Sequence, residues 1–102
     1  MKILCVCRNG NSRSVALAWL LKHKLGHDAL AMGIRKNGHE TQEMLFAWAD
    51  RILLTDKRYA PEIPAEHQSK MRVWHVGSDV WFKGFAPDLI DRYKEHLKIT
   101  GL

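Results

Sequence analysis

At 102 residues the chain is long enough for one domain, expected to span 1–102, and too short for a second core. Apolar residues make up 46% and charged residues 26%, the balance of a soluble globular protein, and no apolar run is long enough to cross a bilayer. The net charge of +5 suits anionic partners, but its lysines and arginines are scattered and form no dense tract, which argues against nucleic acid and for a solvated surface with some substrate steering.

Lys2 to Val6 reads as a buried parallel strand, and no cleavable leader pattern precedes it, so a cytoplasmic location is expected. Cys5 and Cys7 are the only cysteines. They lie two apart in an extended segment, too far for a relaxed disulfide, so Cys5 is expected in the core and Cys7 freed into the following loop. Arg13 to Leu25 reads as a helix with Val15, Leu17, Ala18, Leu20, Leu21 and Leu25 available for burial, stopped by Gly26. Asp28 to Met32 is a short strand closed by Gly33, and a polar loop from Ile34 to His39 leads into a helix from about Glu40 to Trp48, with Met44, Leu45 and Trp48 inward. Trp19 is expected in core or half-core packing.

Arg51 to Leu54 is a third strand, and Pro61 and Pro64 limit any helix after Asp56 to about a turn. Met71 to Val76 reads as a fourth strand in which Trp74 is expected to be buried, Gly77 to Gly84 as a loop, and Ala86 to Leu97 as a closing helix. Strands alternating with helices predict an α/β fold, a three-layer α/β/α arrangement around a four-stranded parallel sheet, with its ligand site beyond the carboxyl ends of the strands.

The segment from Cys7 to Ser14 stands at such an end, between a strand and a helix. A loop closing onto a helix N-terminus turns backbone N–H groups inward, and with the positive end of the helix dipole they cradle an anion the size of phosphate. Arg8, Asn9, Gly10, Asn11 and Ser12 would form the cradle. The same N–H groups and a nearby arginine favour the thiolate of Cys7, a nucleophile. Arg13 offers a planar fork for two phosphoryl oxygens, and the hydroxyl of Ser14 can hydrogen-bond the charged sulfur. This pattern predicts phosphoryl transfer to sulfur.

With strand Ile3 to Val6, then Cys7, Arg13 and Ser14 in a C-x5-R-S loop, the chain resembles the low-molecular-weight protein tyrosine phosphatases, and more closely the compact bacterial and phage members. Ala31-Met32-Gly33-Ile34 and Ala49-Asp50-Arg51-Ile52-Leu53-Leu54 are similar to family segments around strands two and three. The resemblance implies a metal-independent hydrolase with no cofactor, acting on a phosphotyrosine-containing protein or a small aryl phosphate. It also implies that residues after strand two select the substrate, which here points to Arg35, with Lys36 beside it. The chain departs from the family in its loop, where Gly10-Asn11 is displaced by one and Ser12 replaces a second cysteine, and in Ala86-Pro87, where the family has an aspartate before proline.

Ester cleavage by a thiolate still needs a proton donor for the leaving oxygen. Asp79 is the first candidate, in the loop after strand four, where Trp81 and Phe82 can wall an aromatic substrate; Asp88 and Asp56 follow. His23 and His27 lack metal-ligating companions, and no metal site is expected. Three other functions compete with this reading. A non-catalytic phosphate- or phosphoprotein-binding module is the main alternative; an arsenate reductase would need a resolving thiol after Cys7; and a phosphotransfer-system carrier would not call for Arg13.

Overall fold

The computed structural model describes residues 1–8, 13–74 and 94–95. Four strands, β1 (Lys2–Cys7), β2 (Asp28–Gly33), β3 (Arg51–Leu54) and β4 (Met71–Val73), form one parallel sheet in the order β2-β1-β3-β4. Helix α1 (Arg13–Leu25) joins β1 to β2, and α2 (His39–Trp48) joins β2 to β3. Two 3₁₀ helices, Lys57–Glu62 and Ala65–Lys70, lead to β4. Among the described residues, no helix is long and apolar enough to cross a membrane.

The alternation along β1 builds two cores. Ile3 and Cys5 face α1 and pack with Leu17, Leu20, Leu21 and the buried Trp74. Leu4 and Val6 face the other way, against Phe46 of α2 and against Tyr59 and Ile63 of the first 3₁₀ segment. A strand buried on both faces in this manner reads as a continuous apolar run, as Ile3 to Cys7 does. Gly26 ends α1 at φ +73°, where its N–H reaches the carbonyl of Lys22, the left-handed cap that glycine adopts without penalty.

Several expectations need correction. Cys7 is not released into the loop: it remains the last residue of β1, 1% exposed, paired with Gly33 of β2. Leu25 is 43% exposed and Trp19 38%, the latter on the outer face of α1 beside His23 and Lys24. In α2 the buried side chain is Phe46, while Met44 points to solvent at 73% exposure. The second 3₁₀ helix was not expected, and β4 stops at Val73.

The sheet order matters for function. From β1 the chain crosses to β2 on one side, then returns past β1 to place β3 on the other. Such a reversal leaves a crevice at the carboxyl ends of the strands that part company, here β1 and its neighbours.

Candidate active site

Cys7 closes β1 at that crevice, and the first two residues of α1 return to it. The sulfur of Cys7 lies 3.0 Å from the hydroxyl oxygen of Ser14, and both side chains are buried. Arg13 is fully buried next to them. Burying a guanidinium is costly unless hydrogen-bond acceptors and anions surround it. One acceptor is the hydroxyl of Tyr59, 3.2 Å from Nη2 of Arg13. Cys5 is different. Burial, reinforced by the neighbouring Cys7, pushes its thiol far above the ordinary range, so it has no nucleophilic role.

The loop after β2 is fastened directly to the start of the cysteine loop. Ile34 donates its N–H to the carbonyl of Cys7 at 2.9 Å, and Arg35 donates to that of Arg8 at 2.8 Å, extending the β1–β2 ladder past its last residue pair. The turn itself is tied by the side chain of Asn37, which accepts from the N–H of Gly33, and by Gln42, which donates to the carbonyls of Ile34 and Asn37. On the other flank, Thr55 uses both its N–H and its hydroxyl to bond the carbonyl of Val6. Residues 56–59 are thereby carried to the same end of the sheet.

Arg8, Arg35, Arg58 and Tyr59 line a cavity of about 240 Å³ there. Arg58 is held by Asp56, whose Oδ1 accepts from its backbone N–H, whose Oδ2 accepts from Nε, and whose Oδ2 also pairs with the charge at Nη2. Arg35 pairs with Glu62, which raises its already high affinity for the proton. Tyr59 faces both the cavity and the guanidinium of Arg13, and so joins the two.

The structure therefore brings together Cys7, Arg13 and Ser14, and places Arg8 and Arg35 at one cavity next to them. Lys36 is exposed and does not line it. Asp56 stands at the end of β3, but both its oxygens serve Arg58, an arrangement suited to orienting a guanidinium rather than to releasing a proton. Asn9, Gly10, Asn11, Ser12, Asp79, Trp81, Phe82 and Asp88 lie outside the described residues. Sequence reading missed Arg58, Tyr59 and Glu62 as site residues. The rule that ligands sit where strand order reverses would have found them, since they follow β3, the neighbour of β1.

No protein-family model and no curated protein sequence matches the chain. Solved structures do. The tyrosine phosphatase AmsI of Erwinia amylovora superposes with a TM-score of 0.70 at 17% identity, over 96% of this chain and 91% of that one. The YwlE arginine phosphatase of Geobacillus stearothermophilus gives 0.65 at 18%, over 96% and 93%. Vibrio vulnificus Wzb, in complex with benzylphosphonate, gives 0.65 at 17%, over 91% and 89%. The likeness establishes architecture: the chain has the fold of the low-molecular-weight phosphatases, the fold its sequence resemblance implies.

Proposed function

We propose that the chain is a cysteine-dependent phosphomonoesterase that hydrolyses phosphotyrosine, in a protein or as a small aryl phosphate, through a cysteinyl-phosphate. The observation that carries this reading is the buried trio at the end of β1: a sulfur within 3.0 Å of a hydroxyl, beside a buried arginine. Both cysteines are free, which suits the reducing cytoplasm.

In the first step the thiolate of Cys7 attacks phosphorus and the P–O bond to the aryl group breaks, with Asp79 giving its proton to the departing phenolate. Arg13 and the N–H groups of residues 8–12 hold the three equatorial oxygens, whose charge they match throughout. In the second step Asp79, now ionised, takes a proton from water as the water attacks phosphorus. The P–S bond breaks and the sulfur leaves as a thiolate. Ser14 is the hydrogen-bond donor to that sulfur whenever it is charged.

The test is hydrolysis of para-nitrophenyl phosphate in the presence of a chelator. Turnover by the wild type, abolished in Cys7→Ser and in Arg13→Ala, is the expected result. A folded wild type that binds vanadate and turns over nothing would convert the reading to a receptor and end the enzyme proposal.

A further inference from the structure

The cavity next to Arg13 is more basic than a single phosphate requires. Three guanidinium groups, those of Arg8, Arg35 and Arg58, converge on it from three separate segments. Like charges gathered this closely repel, and the arrangement persists only where anions offset it. Among the described residues two carboxylates do so in part, and they differ in kind. Asp56 is buried and fixed on Arg58 by two hydrogen bonds and an ion-pair contact. Glu62 reaches Arg35 from the surface, and both of these side chains are substantially exposed. Arg8 is exposed and has no acidic partner among the described residues.

We infer that this cavity is a subsite for a second anionic group on the substrate, a carboxylate held near the phosphorylated ring, and that acidic aryl phosphates are therefore the favoured substrates. The inference rests on the phosphatase reading and deepens it. Tyr59 fixes the position of the subsite: its hydroxyl touches the arginine assigned to the phosphoryl oxygens, while the residue also lines the cavity. A ligand whose phosphate meets Arg13 thus has its flank at Arg8 and Arg35. Guanidinium is the group suited to a carboxylate, since its planar fork matches two oxygens at once.

The Arg35–Glu62 pair shows that this fork accepts a carboxylate in its present position. Glu62 then acts as an internal competitor, weak enough to be displaced because an exposed pair of this kind contributes little. The backbone around the fork is already ordered. Arg35 is hydrogen-bonded to Arg8, and Asn37 and Gln42 brace the turn, so little ordering remains to be done when a substrate arrives.

The carboxylate can belong to an acidic residue flanking phosphotyrosine or to a substituent on a small aryl ester, and the experiment separates these sources. kcat/KM is measured for phosphotyrosyl peptides matched except for acidic, neutral or basic flanks, and for phenyl phosphates carrying a ring carboxylate or its amide. In at least one series the acidic member should be preferred about three- to tenfold, falling as salt rises. Whichever series shows the preference identifies the source. Arg35→Ala should bring the ratio close to one, whereas Glu62→Gln, which removes the competitor, should raise it. Lys24→Gln, a charge deleted on the outer end of α1, should leave it unchanged. Equal turnover of acidic and neutral substrates in both series overturns the subsite and leaves the phosphatase reading standing. So does a preference that survives Arg35→Ala and drops in Lys24→Gln, the signature of general charge attraction. No turnover of any substrate removes the phosphatase reading and this inference with it.

Discussion

Replacing Ser14 with alanine isolates one hydrogen bond in the buried trio. The hydroxyl lies 3.0 Å from the sulfur of Cys7, and neither side chain has appreciable access to water, so solvent cannot replace the lost donor. A hydrogen bond to a charged group contributes about 1.5–3 kcal/mol, which corresponds to about 10- to 100-fold in a rate that depends on it fully. The two chemical steps should feel the loss unequally. When the thiolate attacks, the sulfur without the bond is the stronger nucleophile, so little rate is lost in that step. When the sulfur departs from phosphorus, it regains charge without the Ser14 hydroxyl to receive it, and the lost bond slows that step. We predict that Ser14→Ala releases a rapid burst of nitrophenol in stopped flow, followed by a steady state about 10- to 100-fold slower than wild type. Vanadate affinity should change little, because the hydroxyl is assigned to sulfur rather than to phosphate. A steady-state rate within threefold of wild type, or a loss confined to oxyanion affinity, would refute the assignment.

Three further outcomes follow from the same structure. Burial holds the Cys5 thiol protonated, so iodoacetamide at neutral pH should leave Cys5 unmodified in the native protein, and Cys5→Ala should leave turnover unchanged; peptide mapping and a turnover assay decide this. Gly26→Ala meets no atom within 4 Å, so its cost is that of a left-handed backbone alone, about 1–2 kcal/mol, read as a fall in Tm of about 4–8 °C per kcal/mol. The carboxyl of Asp50 is held below its usual range chiefly by the N–H of Lys2 at 2.9 Å, with help from the Lys2, N-terminal and Arg51 charges. Its contribution to stability is therefore present above the ordinary carboxylate range and is lost as pH falls through the depressed value. Asp50→Asn should make urea midpoints less dependent on acid pH, and an unchanged acid dependence would count against the bond.

Local pattern carried much of this protein. The Cys7, Arg13 and Ser14 spacing, the limits of α1 and β3, and the Gly26 stop were legible because each depends on neighbours within one turn or one strand. The failures have tertiary causes. Cys7 stays in β1 because Gly33 and Ile34 of the adjoining segment extend the ladder alongside it, and nothing in residues 1–14 encodes that partner. The helical period of α2 puts Met44, Leu45 and Trp48 inward; against the sheet face offered by Leu4, Val6 and Ile52 the helix instead buries Phe46, with Leu45 and Trp48 partly buried beside it and Met44 left in solvent. Arg58 read as an ordinary solvated cation until β3 was placed against β1, which carried it, with Tyr59, to the mouth of the site.

The same strand order bears on the proton donor. Asp56 follows β3, one strand away from Cys7, but its oxygens are engaged by Arg58. Strand β4 lies two strands from β1, a lateral distance of about 10 Å at about 4.8 Å per strand, and Asp79 follows it in sequence. Asp79 lies five residues beyond Trp74, a length of chain that can span up to about 17 Å, so reach imposes no obstacle. The two carboxylates are separated by how each variant responds to the leaving group. A general acid matters most when the departing oxygen is basic, so Asp79→Asn should slow phenyl phosphate by about 10²–10⁴-fold and an ester of a strongly acidic phenol far less. Asp56→Asn weakens the hold on Arg58 without removing an acid, and should slow both esters by a similar, smaller factor. If instead the leaving-group dependence appears in Asp56→Asn and is absent from Asp79→Asn, the acid is the residue after β3, and the Arg58 contacts must open during turnover.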